Sequence, residues 1–365
     1  MSDFNTLIMG FITAFFVVMI SMPSLIKVAK LKHLVDSPIE ERKMHRWSIP
    51  TLGGVVIFGA IVFSYSLWFP NQLIDSREFV NDFKHIIACL ILLFFIGIKD
   101  DIIGTAPIKK LIAHIVVAFI LVIMADIRIE SMHGIFGVNI KLAVWLSYLL
   151  TFFVYIVIIN AINLIDGLDG LAGSISFISS LTFGILFYFV GDISLSLLAL
   201  VLSGAMLGFI FFNFPPARVF MGDAGSLSIG VIFCLLAINS INANYEAAPI
   251  WIQQLNKPVL AMSILVYPLI DTLRIFSVRI FKGVSPFKAD KNHIHHKLKS
   301  LGFGHAKSTV FLVFYSLFVL SCQLILQLYF KINDSTLIFL LQVGIAVGFL
   351  LIFFLLASKF IKSKN

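Results

Sequence analysis

Residues 142–173 read LAVWLSYLLTFFVYIVIINAINLIDGLDGLAG. No side chain from Leu142 to Ile165 is charged, and an apolar run of about 18 residues or more reads as a membrane-spanning helix. The stretch then leaves hydrocarbon through Asp166-Gly167-Leu168-Asp169-Gly170. Asn160, Asn163, Asp166 and Asp169 recur every third position, which keeps polar groups close on a helix or tight turn. The glycines let a ligand approach the backbone. Carboxylates at the edge of a bilayer are costly and mark function. A Ca2+ loop does not fit, because the twelve-residue pattern with its terminal Glu is missing.

The rest of the chain extends this pattern. Its 365 residues are 59% hydrophobic and 13% charged, with 38 Phe and a net charge of +8. Soluble domains average about 45–50% apolar and about 25% charged, so a soluble enzyme and a disordered chain are both excluded. The apolar runs are continuous rather than alternating, which excludes a β-barrel. We expect an all-α polytopic membrane protein forming one domain over residues 1–365. Eleven spans are expected, at 6–29, 52–69, 85–98, 109–126, 142–160, 171–190, 194–212, 226–241, 256–276, 308–330 and 336–358. The first run is too long and too poorly flanked for a cleaved signal peptide. With these spans, 21 of the 27 Lys and Arg fall on one side and 6 on the other. Basic residues in short loops stay inside, which places the N-terminus outside and the C-terminus in the cytoplasm. The positive charge is loop charge that orients the chain, not a nucleic-acid surface. Cys89, Cys234 and Cys322 sit singly in apolar runs and read as small buried side chains.

The cytoplasmic loops of this layout, 30–51, 99–110, 161–170, 213–225 and 277–307, carry every other polar motif. Lys99-Asp100-Asp101 closes the third span; alone, such a pair also serves to stop a helix. Asn213-Phe214-Pro215-Pro216-Ala217-Arg218-Val219-Phe220-Met221-Gly222-Asp223-Ala224-Gly225-Ser226 joins spans seven and eight. The prolines end one helix, and the start of the next is expected to turn N–H groups toward phosphate. Phe220 offers a flat face for a base. Asp290-Lys291-Asn292-His293-Ile294-His295-His296 lies in the most basic loop, between Lys288 and Lys297. Three His in four residues allow Zn2+, but a phosphate-binding patch fits better with no Cys or Glu nearby. Arg42-Lys43-Met44-His45-Arg46 is a second basic patch. Asp271 and Arg274 are spaced i,i+3 to pair within span nine, as a structural pair or, alternatively, in positioning a loop. Several carboxylates facing one vestibule repel unless a cation neutralises them, and hard oxygen donors without thiolates select Mg2+ or, alternatively, Mn2+. Cation, basic groups and aromatic plate together describe a site for a nucleoside diphosphate. Cation-coupled transporters also carry intramembrane carboxylates, but nearer the bilayer midplane.

Taken in order, DD, NxxNxxDGLDGLAG, NFPPARxFMGDAGS and ADKNHIHH resemble the polyprenyl-phosphate N-acetylhexosamine-1-phosphate transferase family over about residues 36–307. Within that family the sequence looks like the UDP-N-acetylglucosamine:undecaprenyl-phosphate transferases, which start O-antigen, common-antigen or teichoic-acid synthesis. The phospho-N-acetylmuramoyl-pentapeptide translocases of peptidoglycan synthesis are cousins, with three consecutive His followed shortly by Glu. Here His293-Ile294-His295-His296 runs into Lys297, which departs from that pattern. The resemblance implies a UDP-N-acetylhexosamine donor, undecaprenyl phosphate as acceptor, release of UMP, Mg2+ as cofactor, and a bacterial inner-membrane enzyme with a cytoplasmic active site. A homodimer is compatible with it.

By motif, Asp100 and Asp101 match the family's essential pair, with a role in handling the lipid phosphate and, for Asp101, in the metal site. Asp223 matches the metal ligand and Phe220 the aromatic residue beneath uracil. Asn163, Asp166, Asp169 and Asn213 match nucleotide-site positions. His293, His295 and His296 match the phosphate-contacting motif. Lys43, His45 and Arg46 align loosely with the first cytoplasmic loop. The expected chemistry is attack of a lipid-phosphate oxygen on the β-phosphorus of the UDP-sugar, with an Asp nucleophile as the alternative. Each buried CH2 contributes about 0.8 kcal/mol, so the acceptor stays in the membrane and a groove between spans must admit its tail.

Overall fold

The computed structural model describes residues 3–32, 34–36, 49–70, 77–283 and 293–362. The expected basic patch Lys43, His45 and Arg46 lies outside the described residues, as do Lys288, Asp290 and Lys291.

Helices dominate the described chain. They are α1 (Asp3–Leu31), α2 (Gly53–Trp68), α3 (Arg77–Ile103), α4 (Pro107–Phe119), α5 (Val144–Leu164), α6 (Leu171–Val190) and α7 (Ile193–Asn213). There follow α8 (Gly222–Asn242), the one-turn α9 (Ile250–Gln253), α10 (Lys257–Ile264), α11 (Val266–Phe281), α12 (Ile294–Ser300), α13 (His305–Leu324) and α14 (Ser335–Lys362). One antiparallel pair, β1 (Val35–Asp36) with β2 (Ile49–Pro50), is the only sheet among the described residues.

Every expected span is helical. Among the described residues, seven helices are long and apolar enough to cross a membrane, or up to eight if a bent pair counts as one. The expected second, third and fourth spans, on α2, α3 and α4, fall outside that set. The ninth expected span is not straight: α10 and α11 meet at 85°. Pro268 lies in the first turn of α11 and has no N–H to donate to Ile264 O, so the helix ladder loses that bond at the bend. Composition along 256–276 stays apolar on both sides of this break, which is why the run reads as one span.

The middle of the molecule is α8, with 94% of its apolar window enclosed, against 22% for α14. A helix apolar on all faces belongs in a core, and α3, α5, α2 and α10 pack around α8. The close approach has a covalent basis. A Cβ on Gly54 of α2 would overlap the Gly225 nitrogen, and one on Gly97 of α3 would overlap the Ala224 Cα. Two helices thus touch the first turn of α8 backbone to backbone.

The connections gather into two groups. At one end, Glu130 N donates to Asn242 Oδ1, Asn256 Nδ2 donates to Ser335 Oγ, and Phe136 N donates to Thr336 Oγ1. At the other end lie residues 99–110, 163–170, 213–225 and 293–305, with the β1–β2 pair joined to them where Phe220 N donates to Pro50 O. These are the loops expected to share the cytoplasmic side.

Candidate active site

The site is built on the start of α8. Gly222 adopts a φ of +73°, and a Cβ there would meet the Thr51 carbonyl and the Asp101 carboxylate. Only glycine fits both the backbone and the space. The next N–H groups are orphan donors of a helix N-terminus. Asp101, at the end of α3, accepts from Asp223 N at 2.7 Å and Ala224 N at 3.0 Å. Asp166, from the α5–α6 connection, accepts from Gly222 N at 3.1 Å. The N–H cradle expected for a phosphate is therefore occupied by carboxylates, which bring three segments to one turn.

Asp223 itself points into the cluster. Its Oδ1 accepts from Asn163 Nδ2 at 3.1 Å, and the same amide donates to Ser226 Oγ at 2.9 Å. Its Oδ2 takes the Lys110 ammonium at 2.5 Å, and Lys110 also donates to Asp100 Oδ2 at 2.6 Å. Lys110 is a site residue the sequence reading missed. It is the second of two adjacent lysines after Pro107 and reads as loop charge; only the fold shows that it bridges Asp100 and Asp223.

Four carboxylates, Asp100, Asp101, Asp166 and Asp223, thus gather at one helix start, and Lys110 pairs with two of them, Asp100 and Asp223. Loss of water pushes the Asp101 carboxyl up to about 7, opposed by the two N–H donors and reinforced by the carboxylates of Asp223 and Asp100. Burial likewise raises Asp100, with Asp223 adding to it and Lys110 opposing it. Burial raises Asp166 well above the carboxylate range, against its bond from Gly222. Carboxylates held this way favour a proton or a further cation. Oxygen donors of this kind, with no thiolate among them, fit a hard divalent ion.

The second carboxylate of the DGLDG loop has a different setting. Asp169 accepts from Ala217 N at 3.3 Å and lies 3.1 Å from His305 Nδ1, while its carbonyl accepts from Thr309 Oγ1 at 2.9 Å. It ties the loop to α13. Asn213 uses both ends of its amide on the backbone, accepting from Gly170 N and donating to Val219 O, each at 2.9 Å. It fixes the proline-containing connection against the DGLDG loop. Phe220 has a half-buried side chain, and its backbone pairs with Pro50 and Gly53.

The histidine motif reaches the same place. A Cβ on Gly167 would be 3.2 Å from His295 Nε2. His293 and His295 stack with ring centres 5.3 Å apart, and His296 follows at 4.5 Å from His295. Asp271 joins them, with His293 Nδ1 2.8 Å from its Oδ2. The expected Asp271–Arg274 pair forms at 3.0 Å, but the link from Asp271 to His293 spans 22 positions and leaves no local signal.

Known proteins share this arrangement of sequence. The sequence profile of glycosyl transferase family 4 matches residues 83–241. The undecaprenyl-phosphate alpha-N-acetylglucosaminyl 1-phosphate transferase of Yersinia pestis is 30% identical over 281 residues, covering 76% of this chain and 72% of the relative. The protein of that name in Haemophilus influenzae is 29% identical over 350 residues, covering 94% and 90%. The one in Escherichia coli strain K12 is 29% identical over 281 residues, covering 76% and 72%.

Proposed function

The chain belongs to glycosyl transferase family 4 as the polyprenyl-phosphate N-acetylhexosamine-1-phosphate transferases represent it, and from that premise we propose that it moves N-acetylglucosamine 1-phosphate from its UDP-sugar to undecaprenyl phosphate in the bacterial inner membrane. UMP leaves, and the product is a lipid-linked diphosphate sugar that starts a surface polysaccharide. The observation that carries this reading is the convergence of Asp100, Asp101, Asp166 and Asp223 with Lys110 on one helix start, with the histidine motif against the same loop.

The steps follow from the groups present. A lipid-phosphate oxygen forms a bond to the β-phosphorus of the donor as the bond from that phosphorus to the α,β-bridging oxygen breaks, and UMP carries that oxygen away. A phosphate monoester has a second pKa near 6, so the nucleophile needs little proton removal and positioning matters more. Asp100, held by Lys110, is placed to take the residual proton. Asp223 and Asp101 would hold Mg2+, which supplies charge neutralisation on the diphosphate oxygens. Lys110 and the histidines balance the remaining negative charge, and Phe220 supports the uracil. We assign part of the acceptor tail to a cavity of about 270 Å³ between α5, α8, α10 and α11, walled by Leu150, Phe153, Ala261 and Leu273 and, toward the end away from the carboxylates, by Ile129 and Phe136.

Purified protein given undecaprenyl phosphate and UDP-N-acetylglucosamine should release UMP only with Mg2+ or Mn2+. Asp223→Asn, folded to the same Tm, should lower kcat by about 10²-fold or more. Wild-type protein that releases no UMP from any UDP-N-acetylhexosamine would end the reading.

A further inference from the structure

Asp271 lies just beyond the bend between α10 and α11, and its side chain is 1% exposed. A carboxylate so enclosed must be matched by donors. Three reach it: Arg274 Nη2 at 3.0 Å and Ile294 N at 2.9 Å on Oδ1, and His293 Nδ1 at 2.8 Å on Oδ2. Two of these belong to the start of α12. That helix has seven residues, too few to hold itself in water. His293, its N-cap, makes no capping bond of its own. Asp271 therefore acts as the cap from another helix, and its negative charge meets the positive end of the α12 dipole.

The same carboxylate also sets the His293 ring. Nδ1 is the nitrogen facing the carboxylate, so it carries the proton and Nε2 is left for a second partner. The ring plane is then passed on by stacking, with His293 and His295 12° from parallel. His295 reaches Gly167 beside Asp166. We infer that Asp271 is a positioning residue of the transferase: it fixes the tautomer and plane of His293 and docks the histidine helix on the DGLDG loop. This rests on the transferase reading given above. Asp271, His293 and His295 also present ligand atoms within 4.8 Å of one another. The 2.8 Å between His293 and Asp271 is a hydrogen-bond length, and two ligands each about 2.0–2.1 Å from a tetrahedral Zn2+ stand farther apart than that.

Two measurements test the inference. In nanodiscs, 15N-histidine spectra of the wild-type protein should show one ring with a protonated Nδ1 and a bare Nε2, whose signal disappears in His293→Gln. An Nε2–H tautomer at His293 overturns the proposal without reference to catalysis. Kinetically, Asp271→Asn should lower kcat for UMP release by about 10- to 100-fold while KM for the UDP-sugar stays within about threefold, and Asp271→Glu should recover part of the loss. His293→Gln should add little in the Asp271→Asn background, since both remove one device. Multiplying effects, or a stoichiometric zinc lost in Asp271→Asn, would overturn it. A wild-type protein inactive in transfer refutes the enzyme reading instead, and the tautomer spectrum still judges Asp271.

Discussion

Lys110 shows what one ammonium does among four carboxylates. Its contacts to Asp100 and Asp223 are 2.6 and 2.5 Å, and removing one partner of an enclosed charge cluster leaves the others uncompensated. Lys110→Met should therefore lower UMP release by about 10²-fold, whereas Lys109→Met, at an exposed neighbouring position, should leave it unchanged. Equal losses in the two variants would assign Lys110 to general loop charge. His295 gives a prediction of opposite character. Loss of water around its ring takes it down to about 3, opposed by the Asp271 carboxylate. The unfolded chain takes up a proton near pH 6.5, and the folded ring does not until far lower. Its contribution to stability is thus complete above about pH 6.5 and is lost as pH falls toward 3. The Tm advantage of wild type over His295→Gln should shrink between pH 7 and pH 4.5; a constant difference would show that the ring takes up its proton as readily in the fold as in the unfolded chain. At this scale the sequence was readable where chemistry clusters locally. Asp166 and Asp169 stand in one motif, and Asp100 and Asp101 in another. The bridge from Lys110 to Asp223 and the link from Asp271 to His293 were not read, because those partners lie 113 and 22 positions away.

Elements explain why those motifs meet. The start of α8 is reached by α2 and α3 only because Gly54 and Gly97 have no side chain there. Apolar runs announce helices, and prolines and glycines announce their ends, so every expected span is helical. Contact between particular turns depends instead on single small residues scattered through those runs. The break between α10 and α11 was hidden for a similar reason: Pro268 is one residue in a long apolar stretch, and both halves look alike in composition. Gly54→Ala tests the packing. Its Cβ would meet the backbone of Gly225, which cannot swing aside as a side chain can. The expected cost is about 1–3 kcal/mol, read as a lower Tm together with lost UMP release. Gly59→Ala in the same helix has open space around the new Cβ and should leave both unchanged. If Gly54→Ala melts like wild type, α2 does not clamp the site as described.

The whole molecule has two unlike ends, and the reaction needs them to face different compartments. A nucleoside diphosphate sugar is charged and cannot enter hydrocarbon, while the lipid acceptor cannot leave it. The catalytic groups must therefore lie at the face where the donor is made. Charge in the loops points the same way as the fold. The segments that the sequence layout groups with Asp100, Asp166, Asp223 and the histidines carry 21 of the 27 basic residues, and the bonds joining Glu130, Asn242, Asn256 and Ser335 close the opposite end of the described structure. Basic loops are retained in the cytoplasm, so the orientation we propose has the site facing inward. Cysteine labelling decides this. Cys89 and Cys234 are buried, but Cys322, expected to be buried too, is only half-buried, so the reporters are placed in a Cys322→Ser background. Lys141→Cys replaces a side chain that is 83% exposed at the end away from the site, and Lys299→Cys replaces an exposed one on α12 beside the histidines. In intact cells a membrane-impermeant maleimide should label Lys141→Cys and spare Lys299→Cys; in inverted vesicles the order should reverse. The opposite result would place the carboxylate cluster outside, where no UDP-sugar pool supplies it, and transfer to a cytoplasmic-leaflet acceptor would be excluded whatever the purified protein does.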